Sequence, residues 1–191
     1  MKITACSWAR LRIIDPVSGS KQLDEIGKVN LASECYVVKN GQVLLFKRSE
    51  NAKKFPGFWI GPGGHIDEHE DALTAAIREV VEETGIAVDE KDVKLKAVAF
   101  HYHEDLNEVW ISNIYLATIP QTADAHSGQE GEGKGGWVSI SQVLTMNNVF
   151  PPAKFYFDHV LGDKPGIMYA NIRWNHAQLV KINSQRVDTN Y

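Results

Sequence analysis

Hydrophobic residues recur with helical spacing in the middle of the chain. The apolar positions of this stretch are Leu73, Ala76, Ile77 and Val80. They follow the i, i+3, i+4, i+7 pattern that places apolar side chains in one stripe on a helix. Gly85 stands where a helix is expected to end, because glycine readily adopts the left-handed conformation of a helix stop. The pattern therefore predicts a helix over about residues 70–84.

Apolar, β-branched and aromatic runs predict strands on both sides of this helix. Residues 34–48 are typical of two strands joined at Asn40-Gly41, a strong hairpin signal. The remaining predicted elements are strands at residues 93–104, 108–120 and 136–140, a helix at residues 152–161 that ends at Gly162, and a closing hairpin at residues 166–183. Strands and helices interleave without a regular strand–helix–strand repeat. We therefore predict a single domain over residues 1–191, built as a mixed α+β sandwich.

One segment differs in composition from its surroundings. Residues 120–136 contain five glycines and show no periodicity, which predicts a mobile loop. The first 30 residues are interpreted as an N-terminal extension packed on the domain. Because the first 16 residues carry Arg10 and Arg12 and no long apolar core, they predict neither a signal peptide nor a membrane span.

Charge and cysteine content narrow the function classes. The net charge is −4, so no bulk basicity attracts a nucleic-acid polymer or an anionic membrane. A phosphorylated substrate would then need local help from basic side chains or from bound metal. The two cysteines, Cys6 and Cys35, favour a reducing compartment, and we expect a cytoplasmic protein. A homodimer is left open as an alternative to a monomer.

Seven carboxylates crowd into residues 64–86. Like charges at helical spacing repel by roughly 0.2–0.5 kcal/mol per pair, so a cluster of acids on one helix requires an explanation. With Leu73 set at zero, Glu79, Glu82 and Glu83 lie at about 240°, 180° and 280°, largely opposite the apolar stripe. This side of the helix is either a solvated face or a site for a hard divalent cation, which prefers oxygen ligands. The glycine-rich sequence GPGGHID precedes the helix and allows backbone atoms to approach a ligand closely.

The spacing of these acids resembles the Nudix box, G-x5-E-x7-R-E-U-x-E-E-x-G-U, in which U is aliphatic. Its fixed places are filled by Gly64, Glu70, Arg78, Glu79, Val80, Glu82, Glu83, Gly85 and Ile86. A nine-position match at average residue usage would arise by chance on the order of once in 10⁹ start points. The resemblance implies the Nudix fold and metal-dependent hydrolysis of a diphosphate linked to another moiety.

The resemblance also implies roles for individual residues. Glu82 and Glu83 are expected to ligate Mg²⁺ or Mn²⁺, together with the carbonyl of Gly63. Glu79 is expected to act as base or as a further ligand. Arg78, with Glu70, is expected to brace the loop against the helix. Asp67, Glu68 and Asp71 retain the interpretation of a solvated face.

Beyond the box, the chain resembles MutT-like nucleoside triphosphate pyrophosphohydrolases of the oxidised-nucleotide sanitation type. The resemblance implies that Arg48 contacts phosphate and that Trp59 packs in the core, although Arg48 could also be a basic residue on an edge strand. Phe150 could form one wall of a base pocket, because an aromatic face stacks on any base, and plain core packing is the alternative. The resemblance also implies an extra metal-binding glutamate before Trp137, for which Glu132 is the first choice and Glu130 the second. Lys154 is the third candidate for substrate binding.

Two departures weaken the implication of oxidised-guanine specificity. Lys154 stands where the bacterial enzymes have a base-reading asparagine, and Pro152 and Ala153 stand where the mammalian enzymes have paired aspartates. The leading hypothesis is therefore a hydrolase that converts a nucleoside triphosphate to a monophosphate and pyrophosphate. The alternatives are hydrolysis of ADP-ribose, another nucleoside-diphosphate sugar or a dinucleoside polyphosphate, and a non-catalytic Nudix module that senses a nucleotide or binds a protein.

Four histidines offer a further alternative. His101 and His103 are two residues apart on a predicted strand and therefore share a face. With His65 and His69 they could form a transition-metal site, although surface or substrate-lining positions are the simpler interpretation.

Overall fold

The computed structural model describes residues 27–52, 55–120, 134–176 and 178–187. Its strands are β1 (Lys28–Lys39), β2 (Gln42–Lys47), β3 (Trp59–Ile60), β4 (Gly63–His65), β5 (Val93–His103), β6 (Glu108–Thr118), β7 (Lys134–Ser139), β8 (Ile167–Asn175) and β9 (Gln178–Val187). The α-helices are α1 (Ala72–Thr84), α2 (Ile140–Val143) and α3 (Ala153–Val160), and a 3-10 turn spans Glu90–Asp92. Among the described residues, no helix is long and apolar enough to cross a membrane.

The strands form one mixed sheet. Its order is β3-β2-β1-β6-β5-β8-β9, with β4 paired to β1 and β7 paired to β2. The β1–β6 and β5–β8 pairs are parallel, whereas the other pairs are antiparallel. Helix α1 packs on one face through Ala76 and Val80, and α3 packs on the other through Tyr156 and Phe157. The predicted α+β sandwich is therefore confirmed.

The sequence signals for α1 and for the first hairpin are confirmed. Asp71 caps α1, because its Oδ1 accepts hydrogen bonds from the amides of Leu73 and Thr74 at 2.9 Å each. Gly85 ends the helix in the left-handed conformation, with φ of 70°. The hairpin turn has φ of 49° at Asn40 and 70° at Gly41, as a type I′ turn requires.

Other predicted boundaries need correction. Ile140 was placed in a strand but begins α2, and β1 begins at Lys28, inside the range assigned to the N-terminal extension. Residues 134–136 were assigned to a loop, but they form the start of β7 because they pair with β2. The short strands β3 and β4 were not predicted, since glycine-rich sequence carries no hydrophobic alternation. The rest of the predicted loop, residues 121–133, lies outside the described residues, as do residues 1–26.

His101 is the basis of a pH prediction. Its side chain is buried on β5, and its Nδ1 has no hydrogen-bond partner in the part of the chain that the structure describes. Burial, with a smaller contribution from His103, lowers the pKa of His101 to about 3. The unfolded chain binds this proton near pH 6.5, whereas the folded protein does not bind it until near pH 3. The contribution of neutral His101 to the free energy of unfolding is therefore fully present above pH 6.5. It is lost as the pH falls toward 3, by on the order of a few kcal/mol.

The measurement is the free energy of unfolding in urea at several pH values between 7.5 and 3.5. We expect His101→Leu to lose less stability on acidification than the wild type. His176→Gln is the matched control, because the His176 side chain is exposed. Parallel acid profiles for wild type and His101→Leu would show that other groups cause the acid sensitivity.

Candidate active site

Arg78 on α1 is the centre of a charge network. Its Nε and Nη2 contact the carboxylate of Glu70 at 3.1 and 2.7 Å, and its Nη1 contacts Glu79 at 2.9 Å and Glu82 at 3.1 Å. Its Nη2 also donates to the carbonyl of His65 at 3.1 Å. Arg78 therefore connects the glycine-rich loop to the helix and offsets the repulsion between three carboxylates.

This network shifts the pKa of both central partners. Hydrogen bonds from Arg78 and from the amide of Asp67 hold the pKa of Glu70 below its usual value. Hydrogen bonds to Glu70, followed by those to Glu79 and Glu82, raise the pKa of Arg78. Glu70 and Arg78 thus form an ion pair near neutral pH, and Glu70 fixes the loop through the amide of Asp67.

The glycine strand β4 makes room for the carboxylates of α1. An ideal Cβ on Gly64 would lie 2.3 Å from Oε1 of Glu79, which any larger residue would displace. Gly63 has φ of 158° and donates its amide to Oε2 of Glu83 at 3.3 Å. Glu79 is only 14% exposed, so it lies beneath the loop, and the solvated-face interpretation is wrong for this residue.

Glu82 and the remaining acids are placed differently. Glu82 is 54% exposed at the outer side of Arg78. Asp67 and Glu68 are 72% and 88% exposed, as a solvated face requires. Asp71 has the additional role of capping α1.

A cavity of about 500 Å³ brings three of the predicted site residues together. Glu83 and Gly63 line one part of it, and Arg48 lines another. The other lining residues are Phe46, Ser49, Asn51, Ala52 and Ile60. The sequence could not identify these loop and strand residues, because nothing in their spacing distinguishes a cavity wall from ordinary surface.

The donor set fits a hard divalent cation in its chemistry. Carboxylate oxygens of α1 and the backbone of β4 lie together, and Gly64 leaves space for Glu79 beside the loop. Among the described residues, no three aspartate, glutamate, histidine or cysteine side chains already converge as a metal cluster. This follows from the contacts of Arg78, which draw Glu79 and Glu82 toward the guanidinium.

The other predicted substrate residues lie near the start of α3. Phe150 is half-buried and meets Phe55 edge to face, with ring centroids 5.0 Å apart. Lys154 is exposed and donates to the carbonyl of Asn147 at 2.9 Å. Trp59 packs against the larger core cluster, in agreement with its predicted packing role. Glu130 and Glu132 lie outside the described residues.

The histidine site is not formed. The His65 ring lies 4.9 Å from Trp110, and the His103 ring stacks on Trp174 at 6.4 Å. His69 is exposed beside Glu68. The described residues therefore give no support to a transition-metal site of these side chains.

A family comparison agrees with the glycine strand and the acidic helix. A model of the NUDIX domain matches residues 31–159, well over half of the chain. The chain belongs to the Nudix family. The predicted Nudix fold is thereby confirmed, and the box helix is α1.

Individual relatives match different parts of this Nudix chain. It is 45% identical over 51 residues to the m7GpppN-mRNA hydrolase NUDT17 of Xenopus laevis, which is 27% of this chain and 17% of that protein. It is 28% identical over 118 residues to the uncharacterized Nudix hydrolase YvcI of Bacillus subtilis, which is 60% of this chain and 68% of that protein. The chain thus spans only 17% and 18% of the first NUDT17 proteins that it matches.

A solved structure matches most of the chain. The crystal structure of a MutT protein from Bacillus halodurans superposes with a TM-score of 0.69 at 26% identity. The match covers 81% of this chain and 97% of that protein. The likeness to MutT proteins that the sequence suggested is therefore shared by the whole fold and is not limited to the box.

Proposed function

We propose that the protein is a metal-dependent Nudix hydrolase that cleaves a diphosphate linkage of a nucleotide. The preferred substrate is a nucleoside triphosphate, and the products are the monophosphate and pyrophosphate. The observation that carries the proposal is the cavity in which Glu83 and Gly63 face the same space as Arg48. A phosphate chain binds best where a cation and a basic side chain both contact its oxygens. Here the acidic residues would hold the cation, and Arg48 is the basic side chain.

Each side chain has a distinct role in this proposal. Glu82, Glu83 and the carbonyl of Gly63 would hold Mg²⁺ or Mn²⁺, and Glu130 or Glu132 would supply a further carboxylate. When bound, the cation would neutralise phosphate charge and polarise phosphorus. Arg48 binds phosphate oxygens, and Glu79 accepts a proton from the attacking water or serves as a further ligand.

The structure of the loop and helix supports this division of roles. Arg78 holds Glu79 and Glu82 through one guanidinium nitrogen, Nη1, and holds the loop through the other two nitrogens. Both acids are therefore held beside the loop that supplies the cavity residue Gly63. Phe150 and Lys154, near the start of α3, would contact the nucleoside part, since an aromatic face stacks on any base.

The names of the relatives define the competing substrates. NUDT17 of Xenopus laevis is named as a hydrolase of capped mRNA, and the Bacillus halodurans structure is named MutT. We place this chain with the second group because that likeness covers 97% of the related protein, against 17% for the first. A nucleoside-diphosphate sugar, a dinucleoside polyphosphate and a capped dinucleotide are the comparison substrates.

The test is a nucleotide panel with identification of the products. We expect triphosphates to yield monophosphate and pyrophosphate in Mg²⁺ or Mn²⁺, and no turnover in excess chelator. In the absence of substrate, added Mg²⁺ should raise the melting temperature, because a ligand that binds only the folded state stabilises it. Undiminished turnover in chelator would contradict the proposed chemistry, and preference for a diphosphate sugar would replace the proposed substrate.

A further inference from the structure

A carboxyl group lies on the face of the sheet that packs against α3. Glu34 is on β1, and its Oε2 accepts hydrogen bonds from the hydroxyls of Tyr36 at 2.9 Å and Tyr156 at 3.0 Å. Both tyrosines are fully buried. No lysine, arginine or histidine of the described residues forms an ion pair with Glu34. Nothing in the charge network of Arg78 requires this group, so its presence needs another explanation.

Glu34 lies directly beside the candidate active site. It pairs with Gly63 across the β1–β4 ladder, and Gly63 lines the cavity with Glu83 and Arg48. An ideal Cβ on Gly63 would lie only 3.1 Å from Cγ of Glu34. Glu34 is therefore in contact with a residue that lines the acidic end of the cavity.

Glu34 is partly exposed. As a residue it has intermediate exposure, although both of its tyrosine partners are buried. Gly61 passes over Tyr36 so closely that an ideal Cβ would meet the ring at 2.5 Å. The glycine segment thus covers the tyrosine that donates to Glu34, on the sheet face that α3 also covers.

The first residues at the start of α3 offer no side chain that could accept a hydrogen bond from a nucleobase. Pro152 and Ala153 are buried and carry no polar side-chain atom, and Lys154 donates to Asn147. An acceptor for a nucleobase would therefore have to come from another element, and Glu34 on β1 supplies a carboxyl beside the cavity residue Gly63. An ionised carboxylate only accepts hydrogen bonds, and its two oxygens can receive two parallel donors.

We propose that Glu34 is a specificity-determining residue that accepts hydrogen bonds from the N–H donors of a guanine base. Guanine offers the adjacent N1–H and N2–H donors, whereas uracil offers a single N–H between two carbonyl groups. The inference rests on the proposed hydrolysis of a nucleotide, and it assigns the base-reading role to β1. The assignment gives a function to a carboxyl whose Oε2 is held by two buried tyrosines.

The first experiment uses the wild-type protein and needs no variant. Binding of guanosine, inosine and uridine monophosphates is measured by calorimetry in Mg²⁺. Inosine monophosphate differs from the guanosine compound by the loss of the 2-amino group alone. We expect it to bind about 10-fold or more weakly, and uridine monophosphate to bind more weakly still. Equal affinities for the three monophosphates would overturn the inference.

The second experiment compares Glu34→Gln with Glu90→Gln. Glutamine keeps the size of the side chain but replaces one acceptor oxygen with a donor. We expect kcat/KM for the guanine triphosphate to fall by about 10–100-fold relative to the uracil triphosphate. Glu90 is exposed in the 3-10 turn, so Glu90→Gln should leave this ratio unchanged. A uniform loss for both substrates would indicate a structural role for Glu34 and overturn the inference.

The two experiments separate this inference from the proposed function. Preferential binding of the guanosine compound without triphosphate turnover would support the Glu34 site and contradict the proposed reaction. Triphosphate turnover without any preference between guanine and uracil would support the reaction and overturn the role of Glu34. If Glu34→Gln fails to fold, the comparison of guanosine and inosine monophosphates on the wild type decides the question.

Discussion

Glu83→Gln is expected to abolish most of the activity and to leave the metal-free fold intact. Glu83 lies off the apolar stripe of α1 and lines the cavity, and its Oε2 accepts from the amide of Gly63. A glutamine can still accept this hydrogen bond, but it loses the charge and a strong cation ligand. We expect turnover to fall at least about 100-fold, equivalent to about 2.7 kcal/mol of barrier, with no loss of melting temperature in chelator.

Glu68→Gln is the matched control for this prediction. It removes the same charge from the same loop–helix motif, but its side chain is 88% exposed and contacts His69. Turnover and melting temperature should both remain near wild type. If Glu83→Gln instead melts far below wild type in the absence of metal, the acidic side of α1 is structural, and the assignment of Glu83 to the metal site is wrong.

Local sequence signals were sufficient for the elements that position the site. The i, i+4 stripe of α1, its glycine stop and the Asn40-Gly41 turn depend on residues close together in the chain, and each was predicted with an error of at most two residues. The larger errors are at β3 and β4. These strands pair through backbone atoms of glycine-rich sequence, and period-two alternation cannot reveal such pairing.

The environment of each acid could not be obtained from helical projection. The projection places Glu79 on the outer side of α1, but the loop that precedes the helix folds back over it. The role of Arg78 as the common partner of Glu70, Glu79 and Glu82 also requires the loop to be in place. The box motif identified which acids matter, and the structure shows how their repulsion is reduced.

The sequence carries a signal for the unusual position of Glu34. Alternation along β1 places Glu34 on the same face as Tyr36 and Val38, so a carboxyl on a buried face could be expected from the sequence. The tyrosine that completes its environment, Tyr156, is 122 residues away in the chain. Only the packing of α3 on the sheet brings the two together, and local patterns carry no information about that contact.

Val80→Asp should have the largest effect on stability. Val80 is fully buried in the core cluster between α1 and the sheet, with Cys35, Val37, Ala76 and Ala117 among its members. An aspartate at this position would place a carboxyl in an apolar environment without hydrogen-bond partners. We expect a loss of about 3 kcal/mol or more in the free energy of unfolding, measured by urea denaturation in chelator.

Val81→Asp is the matched control, because it makes the same change one residue along the same helix. Val81 is 45% exposed, and valine and aspartate have similar helix propensities. Its cost should therefore remain within about 1 kcal/mol, including the unfavourable position of an acid near the helix C-terminus. Similar losses for the two variants would mean that α1 does not bury its Val80 side, and the separation of a core face from a catalytic face on this helix would fail.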